Sequence, residues 1–75
     1  MKVTVKAGCW AKRYVGEETV TVNILENSTV ADLISVLGLP ADDIGLSTVD
    51  NKAVSREHIL YDDDVLKFYP SIVGG

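Results

Sequence analysis

The sequence has little cysteine, the residue that stabilises many small proteins through disulfides or metal sites. It contains one cysteine among 75 residues, and Cys9 alone forms no internal disulfide and cannot by itself build a zinc or iron–sulfur site. No run approaches the ~18–20 apolar residues of a membrane-spanning helix, and no long apolar segment of a signal peptide follows Met1. We therefore expect a cytoplasmic protein, with no membrane partner, that depends on a hydrophobic core.

Basic residues are also few. Seven lysines and arginines against eleven acids give a net charge of −4, which disfavours nucleic acid and anionic membranes as partners and favours proteins with basic patches. A chain of 75 residues is one small domain, which buries about 60% of its unfolded surface. A sizeable cavity for a bound cofactor is therefore not expected.

No set of residues resembles a catalytic or metal centre. His58 is predicted to lie in a solvated turn, without a nucleophile or an orienting carboxylate nearby in sequence. Residues 62–64 are three aspartates, but they lack the alternating oxygen ligands and distal glutamate of an EF-hand, so an acidic loop is expected. Cys9 is interpreted as an incidental or buried thiol. The chain is predicted to bind no metal and to catalyse no reaction.

Two segments alternate polar and apolar residues with the period of a β-strand. Residues 2–7 and 19–24 are rich in β-branched side chains and are separated by a short segment with two glycines, which predicts a hairpin. One face of this hairpin is expected to enter the core through Val3, Val5, Val20, Val22 and Ile24.

An amphipathic helix is predicted next, because Val30, Leu33, Ile34 and Leu37 recur at helical spacing. Thr29 fits the N-cap with an acid at position 32, and Ser28 is the rival cap. Gly38 suits the end of the helix, and a proline at position 40 prevents continuation.

The strand pattern then returns. Residues 44–49 predict a strand, residues 50–51 a turn, and residues 53–54 the start of a short strand. Residues 55–60 are predicted to form a single helical turn. The last strand covers residues 65–69, with Leu66 and Phe68 in the core. The order ββαβ(β)β predicts an α+β fold in which one helix packs on a mixed sheet of four to five strands, with the first and last strands parallel at its centre.

The final residues have the composition of a presented tail. We predict a domain at residues 1–70 and a flexible tail at residues 71–75 that ends in Gly74-Gly75. Such a tail reaches about 17 Å if extended at 3.3–3.6 Å per residue. If Gly75 is the terminus, it ends in a carboxylate at neutral pH, which is unreactive until another protein activates it.

Apolar side chains near the tail suggest a docking surface. Tyr69, Pro70, Ile72 and Val73 are predicted to bind partners, since aromatic anchors are common in interface hot spots. Trp10, in the first hairpin, either joins this patch or covers the edge of the core.

Several segments together resemble one family. The helix at residues 29–34, residues 49–52, residues 62–70 and the terminal Gly74-Gly75 are similar to the ubiquitin-like β-grasp sulfur carriers, which include the molybdopterin synthase small subunit and the thiamin sulfur carrier. The resemblance spans the whole chain and implies a β-grasp fold. The chain departs from the family's Asp-Gly-Asp loop by placing Asp63 in the middle, a position where aspartate tolerates a positive φ better than most residues.

The resemblance also implies a function. The Gly75 carboxylate would be adenylated, with ATP, by an adenylyltransferase that resembles ubiquitin-activating enzymes, and then converted to a thiocarboxylate. Its sulfur would pass to an acceptor enzyme, either the molybdopterin synthase large subunit or thiazole synthase. The carrier would bind no cofactor of its own, and Gly74 would serve as the slim neighbour of Gly75. Two alternatives stay open, namely a ubiquitin-like modifier joined to lysines and a β-grasp binding module with an incidental tail.

Overall fold

The structure is a computed structural model, which describes residues 1–6, 8, 16 and 18–71. Cys9, Trp10 and residues 72–75 lie outside the described residues. The described elements, in chain order, are strands β1 (Lys2–Lys6) and β2 (Thr19–Asn23), helix α1 (Val30–Leu37), a 3-10 helix (Ala41–Asp43), and strands β3 (Ile44–Val49), β4 (Lys52–Val54) and β5 (Val65–Pro70).

The strands form one mixed sheet in the order β2-β1-β5-β3-β4. β1 and β2 are antiparallel, which confirms the predicted hairpin pairing, and β1 and β5 are parallel, with Val5 beside Leu66. β5 is also antiparallel to β3. The last strand is therefore central, and the end of the described chain leaves the domain from a strand that is paired on both sides.

Helix α1 begins at the predicted cap. The Thr29 hydroxyl accepts a hydrogen bond from the Asp32 N–H (3.2 Å), and the Asp32 carboxylate accepts one from the Thr29 N–H (2.9 Å), so the two residues form a capping box. The rival cap, Ser28, instead donates its hydroxyl to the Leu25 carbonyl (2.6 Å). Gly38 ends the helix in the left-handed conformation, with φ of 71°.

The core lies between α1 and one face of the sheet. Leu66 and Phe68 are almost fully buried, as predicted, together with Val3 and Val5. Val20 and Val22 are only half-buried, because β2 lies at the edge of the described sheet and its inward side chains are covered from one side. The other buried apolar residues are Ile24, Val30, Leu33, Ile34, Leu39, Ile44, Val49 and Leu60.

The predicted helical turn at residues 55–60 is wrong. The segment has a tight turn, closed by the His58 N–H and the Ser55 carbonyl (3.2 Å), and Ile59 then pairs with Thr29 in an isolated β-bridge. The carbonyls of Arg56 and His58 accept the N–H groups of Ala31 (2.9 Å) and Val30 (3.0 Å). The segment therefore satisfies donors in the first turn of α1, which have no partner within the helix. His58, predicted to be solvated, is half-buried here.

Residues with positive φ lie at two of the predicted turns. Asp50 and Asn51 have φ of 49° and 69° and join β3 to β4 by a two-residue hairpin loop, in which both central residues take the left-handed conformation. Asp63 has φ of 69°, so aspartate does occupy a left-handed position in the acidic loop. Among the described helices, none is long and apolar enough to span a membrane.

Candidate functional site

The site is built around the point where the chain leaves the sheet, which we call the tail root and define as Pro70 and Ser71. Pro70 pairs with Ile44 at the end of β5, beyond a register irregularity between Ile44 and Leu46. The Ser71 N–H donates a hydrogen bond of 2.7 Å to the Asp43 carbonyl. Backbone hydrogen bonding therefore continues through Ser71, one residue beyond β5.

Gly45 lies directly against the tail root. A Cβ at this position would lie 2.8 Å from the Ser71 Cα and 3.0 Å from the Pro70 carbonyl oxygen, distances that real Cβ atoms hardly tolerate. Glycine within a strand often marks a place where another backbone approaches closely. The path of the tail root across β3 therefore requires glycine at position 45.

Arg56 supports the segment that binds the tail root. Its Nη2 donates to the carbonyls of Ala41 (2.6 Å) and Ile44 (3.1 Å), at either end of the segment that contains Asp43. Hydrogen bonds from a charged donor are stronger than neutral ones. Arg56 therefore fixes the turn whose Asp43 carbonyl binds Ser71, although it is not seen to contact the tail root itself.

An apolar pair lies beside the tail root on the outer face of the sheet, which faces away from α1. Tyr69 and Leu46 are neighbours in the β3–β5 register and are 43% and 44% exposed. Lys67 shares this face and donates to the Asn51 side chain (3.0 Å), and Lys6 is its neighbour on β1. The surface near the tail root thus combines apolar and basic groups, in a protein whose net charge is −4.

The acidic loop is used structurally. The Asp62 carboxylate accepts a hydrogen bond from the Lys2 N–H (2.8 Å), and the Asp64 carboxylate accepts one from the Tyr61 N–H (2.8 Å). The loop precedes β5 and so lies at the opposite end of that strand from the tail root. In the part of the chain that the structure describes, no group of three histidine, cysteine, aspartate or glutamate residues is placed to hold a metal ion.

Only part of the predicted site falls within the described residues. Tyr69 and Pro70 are exposed at the end of β5. Trp10, Ile72, Val73, Gly74 and Gly75 lie outside them, and their roles stay predictions. Sequence reasoning missed Gly45 and Arg56. A glycine between Ile44 and Leu46, inside a strand pattern, was a usable signal for Gly45; Arg56 had none, because its partners are carbonyl groups.

Comparison with known proteins supplies the family. The family model described as Mut7-C ubiquitin matches residues 11–73, which is most of the chain and includes α1 and every described strand except β1. The chain belongs to the Mut7-C ubiquitin family. This match and the fold confirm the resemblance to ubiquitin-like β-grasp proteins. A search of curated proteins found no match for this family member.

Solved structures agree on the fold. SAMP1 from Haloferax volcanii matches with a TM-score of 0.76 and 19% identity, over 100% of both chains. A protein from Pyrococcus furiosus assigned as molybdopterin converting factor subunit 1 matches with a TM-score of 0.80 and 23% identity, over 96% of this chain and 99% of that one. The HVO 2177 protein of Haloferax volcanii matches with a TM-score of 0.79 and 17% identity, over 100% of this chain and 87% of that one. At these identities the likeness establishes a shared β-grasp fold.

We predict that Gly45→Ala disturbs the tail root. The added Cβ would force the backbone of Ser71 or Pro70 to move, and such overpacking typically costs about 1–3 kcal/mol. Chemical denaturation measures the loss of stability, and amide hydrogen exchange at Ser71 measures the loss of its bond to Asp43. Ala53→Val, on the exposed edge strand β4, is the matched enlargement and should leave the exchange of Ser71 unchanged. Equal exchange at Ser71 in Gly45→Ala and the unsubstituted chain would contradict the assignment.

Proposed function

We propose that this Mut7-C ubiquitin family member is a sulfur carrier whose working group is the carboxylate of Gly75. The observation that supports this most is the tail root, which is fixed by Asp43 and Gly45 at the end of the central strand, four residues before Gly75. A group that other enzymes must capture benefits from a fixed starting point, because ordering each flexible residue costs about 1–2 kcal/mol.

If Gly75 is the terminus, the reach from the tail root is short. Four residues beyond Ser71 span at most about 14 Å at 3.3–3.6 Å each. That length suits a tail which enters the buried active site of another protein while the domain docks outside. Glycine at the last two positions allows the walls of such a site to approach the backbone closely.

The proposed chemistry takes place in partner enzymes. A carboxylate oxygen of Gly75 attacks the α-phosphorus of ATP, which releases pyrophosphate and forms an acyl-adenylate. A sulfur donor of the persulfide class then attacks the acyl carbon and displaces AMP, and cleavage of its S–S bond by a thiol reductant leaves a thiocarboxylate. The chain supplies the acyl group, and the partner supplies ATP binding and catalysis.

The names of two structural relatives fit this proposal. One is assigned as molybdopterin converting factor subunit 1, and the other is SAMP1, which is also described as a small archaeal modifier protein. We infer two kinds of partner for this chain, an ATP-using adenylyltransferase and a sulfur-acceptor enzyme of molybdopterin or thiamin synthesis. The exposed pair Tyr69 and Leu46, beside the tail root, is the surface on which such partners would dock.

The test is the intact mass of the chain after co-expression with an activating enzyme. Conversion to the thiocarboxylate replaces one oxygen by sulfur, and we expect that mass gain on the C-terminal peptide alone. Treatment with an alkylating reagent should then label the same peptide. The mass of the natural protein also establishes whether Gly75 bears the free carboxylate. Absence of the gain with adenylyltransferases from molybdopterin and from thiamin synthesis would contradict the proposal.

The name of SAMP1 favours a second candidate function. In this function the chain is a modifier that is joined through Gly75 to lysines of other proteins. Both candidates begin with the acyl-adenylate and differ in the nucleophile that attacks it. Mass spectrometry of tryptic digests for lysines that carry residues 68–75, the segment after Lys67, identifies the modifier, whereas a free thiocarboxylate identifies the carrier.

A further inference from the structure

Along the outer edge of strand β2, backbone hydrogen-bonding groups have no partner among the residues that the structure describes. Met1 and Ile24 exchange both backbone hydrogen bonds, with distances of 2.8 and 2.9 Å. In an antiparallel ladder such pairs alternate with pairs whose backbone groups point outward. With the β1–β2 register, the backbone groups that point away from β1 are those of Thr19, Thr21 and Asn23.

Within the described part of the chain, this edge carries none of the usual protection. β2 pairs only with β1 among the described strands, and its sequence contains no proline, no lysine and no bulge. Natural proteins commonly block an edge strand with one of these features, because an open edge is a template for pairing with another chain. Four of the five residues are threonine or valine, which favour an extended backbone.

An apolar groove adjoins the same edge on the side of the helix. It has a volume of about 620 Å³, and Ile24, Leu25 and Val36 contribute to its lining. Leu25 is 83% exposed and Val36 is 64% exposed, which are high values for large apolar side chains. A strand added to β2 would direct every second side chain to this side of the sheet, toward the groove.

The charge around the groove indicates the kind of occupant. Residues 14–51 contain no lysine or arginine, although they contain several acids. Asp32 contributes to the lining of the groove, and Glu26 is exposed next to Leu25. A second copy of the chain would bring its own acidic groups to this edge, whereas a basic segment would be attracted.

We propose that the β2 edge and the groove bind an extended, basic segment of a partner protein by strand addition. The segment pairs with the backbone of Thr21 and its neighbours, its apolar side chains at alternate positions cover Leu25 and Val36, and its flanking lysines or arginines face the acids. β1 lies between β2 and β5, so the edge and the tail root belong to different strands of the sheet. The surface is independent of the proposed sulfur chemistry.

The probe is a synthetic peptide, KKVTVTVKK, with EEVTVTVEE as its charge-reversed partner. We expect the basic peptide to bind the full chain and shift the amide resonances of β2 and of Leu25 and Val36, and added salt to weaken it. Thr21→Pro removes an N–H that points away from β1, a position where a strand tolerates proline. Loss of this hydrogen bond should weaken binding about tenfold. Thr21→Ser, which keeps the N–H, should bind as the unsubstituted chain does.

Variants of the groove test whether its apolar side chains contribute to binding. Leu25→Ser and Val36→Ser should weaken binding, whereas Leu46→Ser, on the opposite face of the sheet, should not. Thermal unfolding of each variant establishes that it is folded. Equal binding of both peptides, or equal binding by Thr21→Pro and Thr21→Ser, would overturn the proposal. A dimer of the chain alone that Thr21→Pro abolishes would show that a second copy occupies the edge and would overturn the choice of a basic partner.

Discussion

Phe68→Ala is expected to lower the free energy of unfolding by about 3–5 kcal/mol. Phe68 is 2% exposed and lies on β5, the strand that is paired on both sides. Truncation would leave a cavity between the sheet and α1, in the middle of the only strand that links the two halves of the described sheet. Typical domains have about 5–15 kcal/mol of stability, and small ones lie at the low end. The variant should therefore be partly unfolded at growth temperature.

Chemical denaturation with the matched variant Tyr69→Ala measures this effect. Tyr69 is the next residue of the same strand and is also aromatic, but its side chain is 43% exposed on the opposite face. Its truncation should cost clearly less, because less apolar surface is lost from the core. Similar losses of stability in the two variants would show that the core does not depend on the inward face of β5 as described.

The elements that sequence reasoning predicted well are those fixed by local signals. The alternation of valines predicted that β1 packs against the core. The threonine at position 29 with an acid at position 32 predicted the start of α1. The parallel pairing of β1 with β5 followed from the order of elements, since few topologies allow a single helix to cover such a sheet. Aspartate at position 63 was expected to tolerate a positive φ, and it has φ of 69°.

The features that sequence reasoning missed depend on contacts between distant residues. Arg56 donates to carbonyls 12 and 15 residues earlier, and any residue type supplies a carbonyl, so no pattern identifies the pair. Residues 55–60 were predicted to form a single helical turn, but the carbonyls of Arg56 and His58 accept hydrogen bonds from the first turn of α1. The requirement for glycine at position 45 similarly becomes clear only when the tail root lies against it.

The tail root and the β2 edge require different properties of the partners that bind them. The tail root presents a fixed exit with the apolar pair Tyr69 and Leu46, and its partners must hold a reactive carboxylate in place. The β2 edge presents outward backbone groups and an apolar groove with Asp32 in its lining, which suit a segment that is bound without a covalent reaction. β1 lies between β2 and β5, so the two surfaces are built on different strands of the sheet.

Deletion of Gly75 is expected to abolish thiocarboxylate formation while leaving the domain intact. The deletion withdraws the terminal carboxylate by roughly 3.3–3.6 Å, the length of one extended residue. Misplacement of a reacting group by about 1 Å already costs on the order of 100-fold in rate, so at least that loss is expected in single-turnover assays with the activating enzyme. Intact mass spectrometry of the product measures the loss.

The companion variant extends the chain by one alanine after Gly75. It keeps both glycines and moves the carboxylate farther from the domain. Both variants should lose activation for the same reason, the position of the carboxylate. Both should unfold at the temperature of the unsubstituted chain, because the buried apolar residues of the described core lie between positions 3 and 68. Activation at an undiminished rate in either variant would place the function elsewhere and leave the binding-module interpretation as the better account. Loss in both, with an unchanged melting temperature, separates the role of the terminal carboxylate from that of the fold that presents it.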